Sequence, residues 1–80
     1  MFEIIELIFT AGEFHSRQLL GYRVVATVAY GWLASLVAEI AGQSCPDPAV
    51  TDYLVLPAGA DKSPRAVLEI YQNQVGLVVA

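Results

Sequence analysis

The sequence predicts a small α+β domain in which a mainly antiparallel sheet packs on one amphipathic helix, in the order β-β-α-β-β-β. Three observations favour this fold class. The chain has 80 residues, enough for a single domain covering 1–80. Runs rich in β-branched and aromatic residues alternate with turn residues, and the segment 32–42 has helical periodicity. An alternative fold joins residues 14–42 into one long helix, followed by a C-terminal β-meander.

The first two strands are predicted from their content of Ile, Phe, Val and Tyr. Residues 2–9 (FEIIELIF) form the first strand, and residues 10–13 form a turn. A long helix over 14–42 would carry Gly21 and Gly31 in its interior, each costing about 1 kcal/mol relative to Ala. We therefore favour a second strand over 22–30. Its buried face comprises Tyr22, Val24, Ala26, Val28 and Tyr30.

Residues 32–42 form the most clearly predicted element, an α-helix. Its large apolar residues fall at positions i, i+1, i+4, i+5 and i+8, so we expect them to pack on the sheet as one stripe. These residues are Trp32, Leu33, Leu36, Val37 and Ile40. Ala34, Ala38 and Ala41 add helix propensity and allow close approach. Gly42 suits the end of the helix, and a loop follows over 43–50.

Three more strands are predicted in the second half of the chain. They span residues 51–56 (TDYLVL), 65–71 (RAVLEIY) and 74–79 (QVGLVV). Residues 57–64 contain two prolines and a glycine and form a loop. Gln72-Asn73 would turn the last hairpin, because Asn tolerates the left-handed conformation that tight hairpins use.

The composition predicts association with other proteins. Hydrophobic residues make up 56% of the chain and charged residues 15%, compared with about 25% charged in typical soluble domains. A domain of this size has little interior, so part of its apolar surface should lie in an interface. The net charge is −4, and the four bases are scattered along the chain. We therefore expect a protein partner, a homo-oligomer or both, and no direct binding of nucleic acid.

A membrane-associated subunit that uses residues 19–42 remains an alternative. Fifteen uncharged residues separate Arg23 from Glu39, fewer than the roughly 20 that a spanning helix needs. The start of the chain and its cysteine content bear on the cellular compartment. Glu3 and Glu6 stand where a signal peptide would be basic. With a single cysteine an internal disulfide cannot form. These features predict a cytoplasmic protein.

The titratable and nucleophilic residues do not predict a catalytic or metal site, and we expect no cofactor. His15 is the only histidine. It could pair with Glu13, but Ser16 would project from the other side of a strand, so a triad does not form locally. Cys45 follows the end of a predicted helix, where the dipole disfavours a thiolate. A second function class is a small ligand-binding or enzymatic subunit whose site, built from His15 and the 57–65 loop, is completed at an oligomer interface.

The aromatic residues provide the best candidates for function. Tyr, Trp and Arg are the usual anchors of protein interfaces, although aromatic side chains in such a chain are more often ordinary core and sheet residues. The interface candidates are Tyr22, Tyr30, Trp32, Tyr53, Tyr71, Lys62 and Arg65. The sequence thus predicts a non-enzymatic, self-associating protein-binding module. Its size alone suggests an inhibitor, immunity or accessory protein of bacteria or phages.

Overall fold

A computed structural model of the protein describes residues 1–12 and 17–74. Within these residues the chain forms three strands and two helices: β1 (Phe2–Phe9), β2 (Leu19–Val28), α1 (Gly31–Gln43), β3 (Thr51–Pro57) and α2 (Pro64–Gln74). The strands form one antiparallel sheet in the order β2-β1-β3, with β1 in the centre. The predicted α+β class is therefore confirmed, as are the strands near 2–9 and 51–56 and the helix near 32–42.

The strand predicted over 65–71 is wrong, because these residues form most of α2. The helix begins after Ser63, whose Oγ accepts a hydrogen bond from the backbone N–H of Ala66 at 3.3 Å. This is the usual role of an N-cap serine, and Pro64 then suits the first helical position. The hairpin turn predicted at Gln72-Asn73 is also wrong, since both residues lie in α2. Beyond Gln74, the strand predicted over 74–79 falls outside the described residues.

The alternative of one long helix over 14–42 is wrong as well. Residues 19–28 pair with β1 as a strand, and α1 begins only at Gly31. Among the described residues, no helix combines the length and the apolar character that crossing a membrane requires.

The predicted buried face of β2 is only partly correct, because the strand contains a bulge. Ile4 pairs with Ala26, whereas the next residue, Ile5, pairs with Val24, which leaves Val25 without a counterpart. The extra residue reverses the alternation of side chains, so Val24 and Ala26 face opposite sides of the sheet. Val24 is exposed, and so is Tyr30, which lies beyond the end of the strand.

The two helices lie on opposite faces of the sheet. The core on one face combines side chains of β1, β3 and α2: Ile5, Leu7, Phe9, Leu54, Leu56, Val67 and Tyr71. The other face carries the alternate residues of β1, and there Phe2 lies against the first turn of α1. We call these the α2 face and the α1 face. The sheet is therefore covered by α2 on one side and by α1 on the other.

Candidate interaction surface

The side of α1 that packs on the sheet is built from small residues. Ala34 is fully buried. A Cβ atom placed on Gly31 would come within 3.3 Å of the Phe2 ring, and one placed on Gly42 would lie 4.0 Å from the Tyr53 ring. Because the helix axis lies this close to the strands, large side chains do not fit between α1 and the sheet. The close approach turns the large residues of α1 outward.

The outer side of α1 carries an exposed apolar stripe. Trp32, Leu36 and Ile40 stand one helical turn apart on the same face, and their exposed fractions are 68%, 46% and 52%. Tyr30, which is 61% exposed, stacks on Trp32 with ring centroids 6.2 Å apart and planes 17° apart. We call these four residues the α1 stripe. Together they form a continuous apolar ridge along the helix.

We predicted that the five large apolar residues of this helix pack on the sheet as one stripe, and this prediction is wrong for three of them. Trp32, Leu36 and Ile40 are exposed, while Leu33 and Val37 are half-buried at the flank of the helix. The sequence contains two stripes with helical spacing, one of large residues and one of Gly and Ala. The glycine-alanine stripe packs on the sheet.

The exposed area of the α1 stripe is large for a domain of this size. An aromatic side chain has about 150–250 Å² of surface, so Tyr30 and Trp32 together expose roughly 200–300 Å² of it. Leu36 and Ile40, each about half exposed, extend the patch. Its total area falls within the roughly 300–600 Å² of the largest apolar patch on a typical monomer, a patch that often has a function.

The charges around the α1 stripe are few and asymmetric. Glu39 is the only charged residue of α1 and is exposed beside the stripe. At the other end of the helix, the first turn contains no acidic residue, and Tyr30 at the N-cap position makes no side-chain capping bond. The positive end of the helix dipole at this end is therefore not offset by a side chain of α1.

The predicted interface residues do not form one surface. Only Tyr30 and Trp32 lie in the α1 stripe. Lys62 and Tyr22 meet on the α2 face, where the Tyr22 hydroxyl donates to the Lys62 carbonyl and the Lys62 Nζ lies 2.6 Å from Glu3 Oε1. The remaining three candidates lie apart from these, with Arg65 exposed at the start of α2 and Tyr53 and Tyr71 packed on opposite faces of the sheet.

Tyr71 joins a partly buried hydrogen-bond network on the α2 face. Its hydroxyl donates to Asp52 Oδ2 at 2.7 Å and accepts a bond from Arg17 at 3.2 Å. The Arg17 guanidinium lies 4.5 Å from the centre of the Phe9 ring, and it also donates to the carbonyl of Ala49 at 3.1 Å. Burial and the neighbouring Asp52 raise the pKa of Tyr71 to about 12, with Arg17 acting in the opposite direction.

Tyr53 plays a similar part on the α1 face. Its hydroxyl donates to Glu6 Oε2 at 2.9 Å, and Arg23 Nε lies 3.1 Å from the other oxygen of the same carboxylate. Burial and the Glu6 carboxylate raise the pKa of Tyr53 to about 12. In both networks a protonated tyrosine donates to a carboxylate, which is a structural role.

Alkaline unfolding tests these two networks. An unfolded tyrosine ionises near pH 10, whereas Tyr53 and Tyr71 keep their protons to about pH 12 in the folded chain. The unfolded state then binds fewer protons, so the free energy of unfolding should be unaffected below pH 10 and should fall between pH 10 and 12. Near-ultraviolet absorbance of tyrosinate measures the ionisation directly. Tyr71→Phe should remove one of the two tyrosine ionisations expected near pH 12. Complete tyrosine ionisation near pH 10 in a chain that is still folded would contradict the raised pKa values.

The other residues that the sequence singled out contribute no assembled site within the described part of the chain. His15 and its neighbour Glu13 fall outside the described residues. Cys45 is half-buried beside Tyr53. Over residues 1–12 and 17–74, no three His, Cys, Asp or Glu side chains come together in a way that could hold a metal ion. Comparison of the chain with protein-family models, curated proteins and solved structures finds no match.

Proposed function

We propose that this chain is a small protein-binding module that associates with a second copy of itself through the α1 stripe. One observation carries the proposal. Trp32, Leu36 and Ile40 form an apolar ridge on the outer side of a helix whose small-residue side already packs on the sheet. Burying apolar surface stabilises association by about 25 cal/mol per Å² before the entropic costs of binding.

A second copy is the occupant that the shape of the stripe favours. A two-fold axis through Leu36 would set two α1 helices antiparallel, with the same patch on both sides of the interface. Trp32 of one copy would then lie opposite Ile40 of the other, so each large ring would pack against an aliphatic side chain. Helices packed in this way meet through side chains spaced four residues apart, which is the spacing of the stripe.

The charge pattern of α1 also favours antiparallel pairing. In that arrangement Glu39 of one copy lies level with Leu33 of the other, in the first turn of the partner helix. The carboxylate would approach the positive end of a helix dipole that no side chain of α1 offsets. A parallel arrangement would instead place the two Glu39 carboxylates side by side. The apolar contact and the charges therefore favour the same geometry.

The outer edge of β2 is a less suitable surface for pairing. The strand exposes Leu20 and Val25 along an edge that no other strand covers in the described residues. Both residues, however, lie at irregularities in the pairing of β2 with β1. Bulges of this kind twist an edge strand and oppose its pairing with another chain.

Sedimentation equilibrium tests the self-association. The stripe is small compared with the roughly 800 Å² that each partner contributes to a standard interface, so we expect a dissociation constant in the micromolar range, near −8 kcal/mol. The weight-average mass should rise from 8.6 kDa toward twice that value as the concentration increases through this range. A mass that stays at 8.6 kDa up to about 1 mM would overturn the proposal.

In this proposal the chain acts by presenting a contact surface and not by catalysis. The setting expected from the sequence, an inhibitor, immunity or accessory protein of bacteria or phages, stays a prediction. Dimerisation of the helix surface would leave the α2 face and its loops free to contact a different protein.

A further inference from the structure

A pocket of about 410 Å³ opens between the start of β2 and α2. It lies on the α2 face, so the sheet separates it from the α1 stripe. Its volume falls within the range of roughly 300–1,000 Å³ that small-molecule sites occupy. The residues at its wall differ in character from the rest of this acidic chain.

The wall of the pocket concentrates positive charge. Arg17 and Arg65 both line it, and they are two of only four bases in a chain of net charge −4. Among the described residues that line the pocket, none is acidic. Arginine side chains at the wall of a cavity favour an anionic ligand, because Arg binds planar carboxylates through paired N–H donors.

The two arginines have different surroundings. Arg17 is held in place by its stacking on Phe9 and by its bonds to Ala49 and Tyr71. Asp52, which accepts the bond from Tyr71, offsets part of the Arg17 charge. Arg65 is exposed and is therefore able to turn its guanidinium toward a ligand.

The remaining wall of the pocket suits a ligand with an apolar body. Leu19 and Leu68 line it and are only partly buried against the core. Gln18 and Gln72 add amide groups that can orient a polar ligand atom. A few convergent polar groups on a mainly apolar wall are typical of small-molecule sites.

We infer that this pocket binds a small organic carboxylate, with the carboxylate held by Arg65 beside the fixed positive charge of Arg17 and the apolar body packed on Leu19 and Leu68. The site does not depend on association through α1, because it lies on the other side of the sheet. A short-chain carboxylate such as octanoate has both parts of this chemistry. Acetate has only the charge, and octylamine has the same chain with the opposite charge.

Titration of the labelled protein with octanoate, followed by amide NMR shifts, tests the site. Octanoate should produce saturable shifts at Leu19, Leu68 and Gln72. Octylamine should produce none there, and acetate should bind at least about tenfold more weakly, since it lacks the apolar contact. Absent or non-saturable shifts at these positions would overturn the inference, as would equal binding of octylamine. Shifts confined to the α1 stripe would also overturn it, because they would show simple adsorption to exposed apolar surface.

Two matched variants separate the charge from general effects. Arg65→Gln should raise the dissociation constant for octanoate about tenfold, the usual effect of losing a charge-assisted hydrogen bond. Arg23→Gln removes another exposed arginine, which is not among the residues that line the pocket, and should leave the constant unchanged. Equal constants for both variants and the wild type would show that Arg65 does not hold the ligand. Both arginines are exposed, so each variant should remain folded, which an amide spectrum checks directly.

Discussion

Replacing Leu36 with glutamate is expected to abolish self-association in the micromolar range. Leu36 lies at the centre of the α1 stripe, so the new carboxylate would have to be buried against apolar side chains and against its own copy in the partner. Burying an unpaired charge costs several kcal/mol, and a loss of about 3 kcal/mol raises the dissociation constant more than 100-fold. Sedimentation equilibrium should then report 8.6 kDa at concentrations where the wild type is dimeric.

Leu20→Glu is the matched control for this substitution. Leu20 is 68% exposed on β2, and the change introduces the same charge into another exposed apolar position away from α1. We expect the control to associate as the wild type does. Equal loss of association in both variants would show that added negative charge, and not the stripe, controls the dimer. Circular dichroism at low concentration shows whether each monomer is folded, as expected for substitutions at exposed positions.

Truncation of Leu54 to alanine is expected to remove a large part of the free energy of unfolding. Leu54 is 1% exposed, pairs with Ile5 in the sheet and belongs to the core on the α2 face. Substitutions of this kind cost about 2–5 kcal/mol, out of a total stability of about 5–15 kcal/mol for a small domain. Denaturant unfolding at a concentration below the dimer range should show this fall.

The variant Leu20→Ala provides the comparison for Leu54→Ala. Because Leu20 is exposed, its truncation should change the unfolding free energy by no more than about 0.5 kcal/mol. A loss at Leu54 that is as small as the loss at Leu20 would contradict the placement of β3 against α2. The pair of variants thus tests the packing of the sheet independently of the α1 stripe.

Much of the fold is predictable from local pattern. Three features act through short-range preferences: the run of β-branched and aromatic residues in β1, Gly31 at the start of α1, and the proline-containing loop before β3. The helix at residues 65–71 is missed because the apolar residues Val67, Leu68 and Tyr71 fit both the helical and the strand period over so short a run. The signal that identifies it is Ser63-Pro64, an N-cap residue followed by a favourable first helical residue.

The candidate surface is predictable only in part. The aromatic residues Tyr30 and Trp32 are identified by composition, but the outward orientation of Trp32, Leu36 and Ile40 is not. The stripe of small residues and the stripe of large residues share the same helical period, so hydrophobicity alone selects the larger one as the core. Which of the two stripes faces the sheet depends on how closely α1 approaches Phe2 and the neighbouring strands, and this distance is a property of the assembled fold. The bulge at Val25 is likewise set by pairing with β1.

An isotope-filtered NOE experiment on a mixed dimer of labelled and unlabelled chains can detect the antiparallel contact between two α1 helices. Within one helix Trp32 and Ile40 are eight residues apart, about 12 Å along the axis, which is too far for a direct NOE. Antiparallel pairing of two α1 helices brings the Trp32 ring of one copy against the Ile40 methyl groups of the other. We expect intermolecular NOEs between these two residues. Intermolecular NOEs confined to β2, or none at concentrations where the mass indicates a dimer, would contradict it.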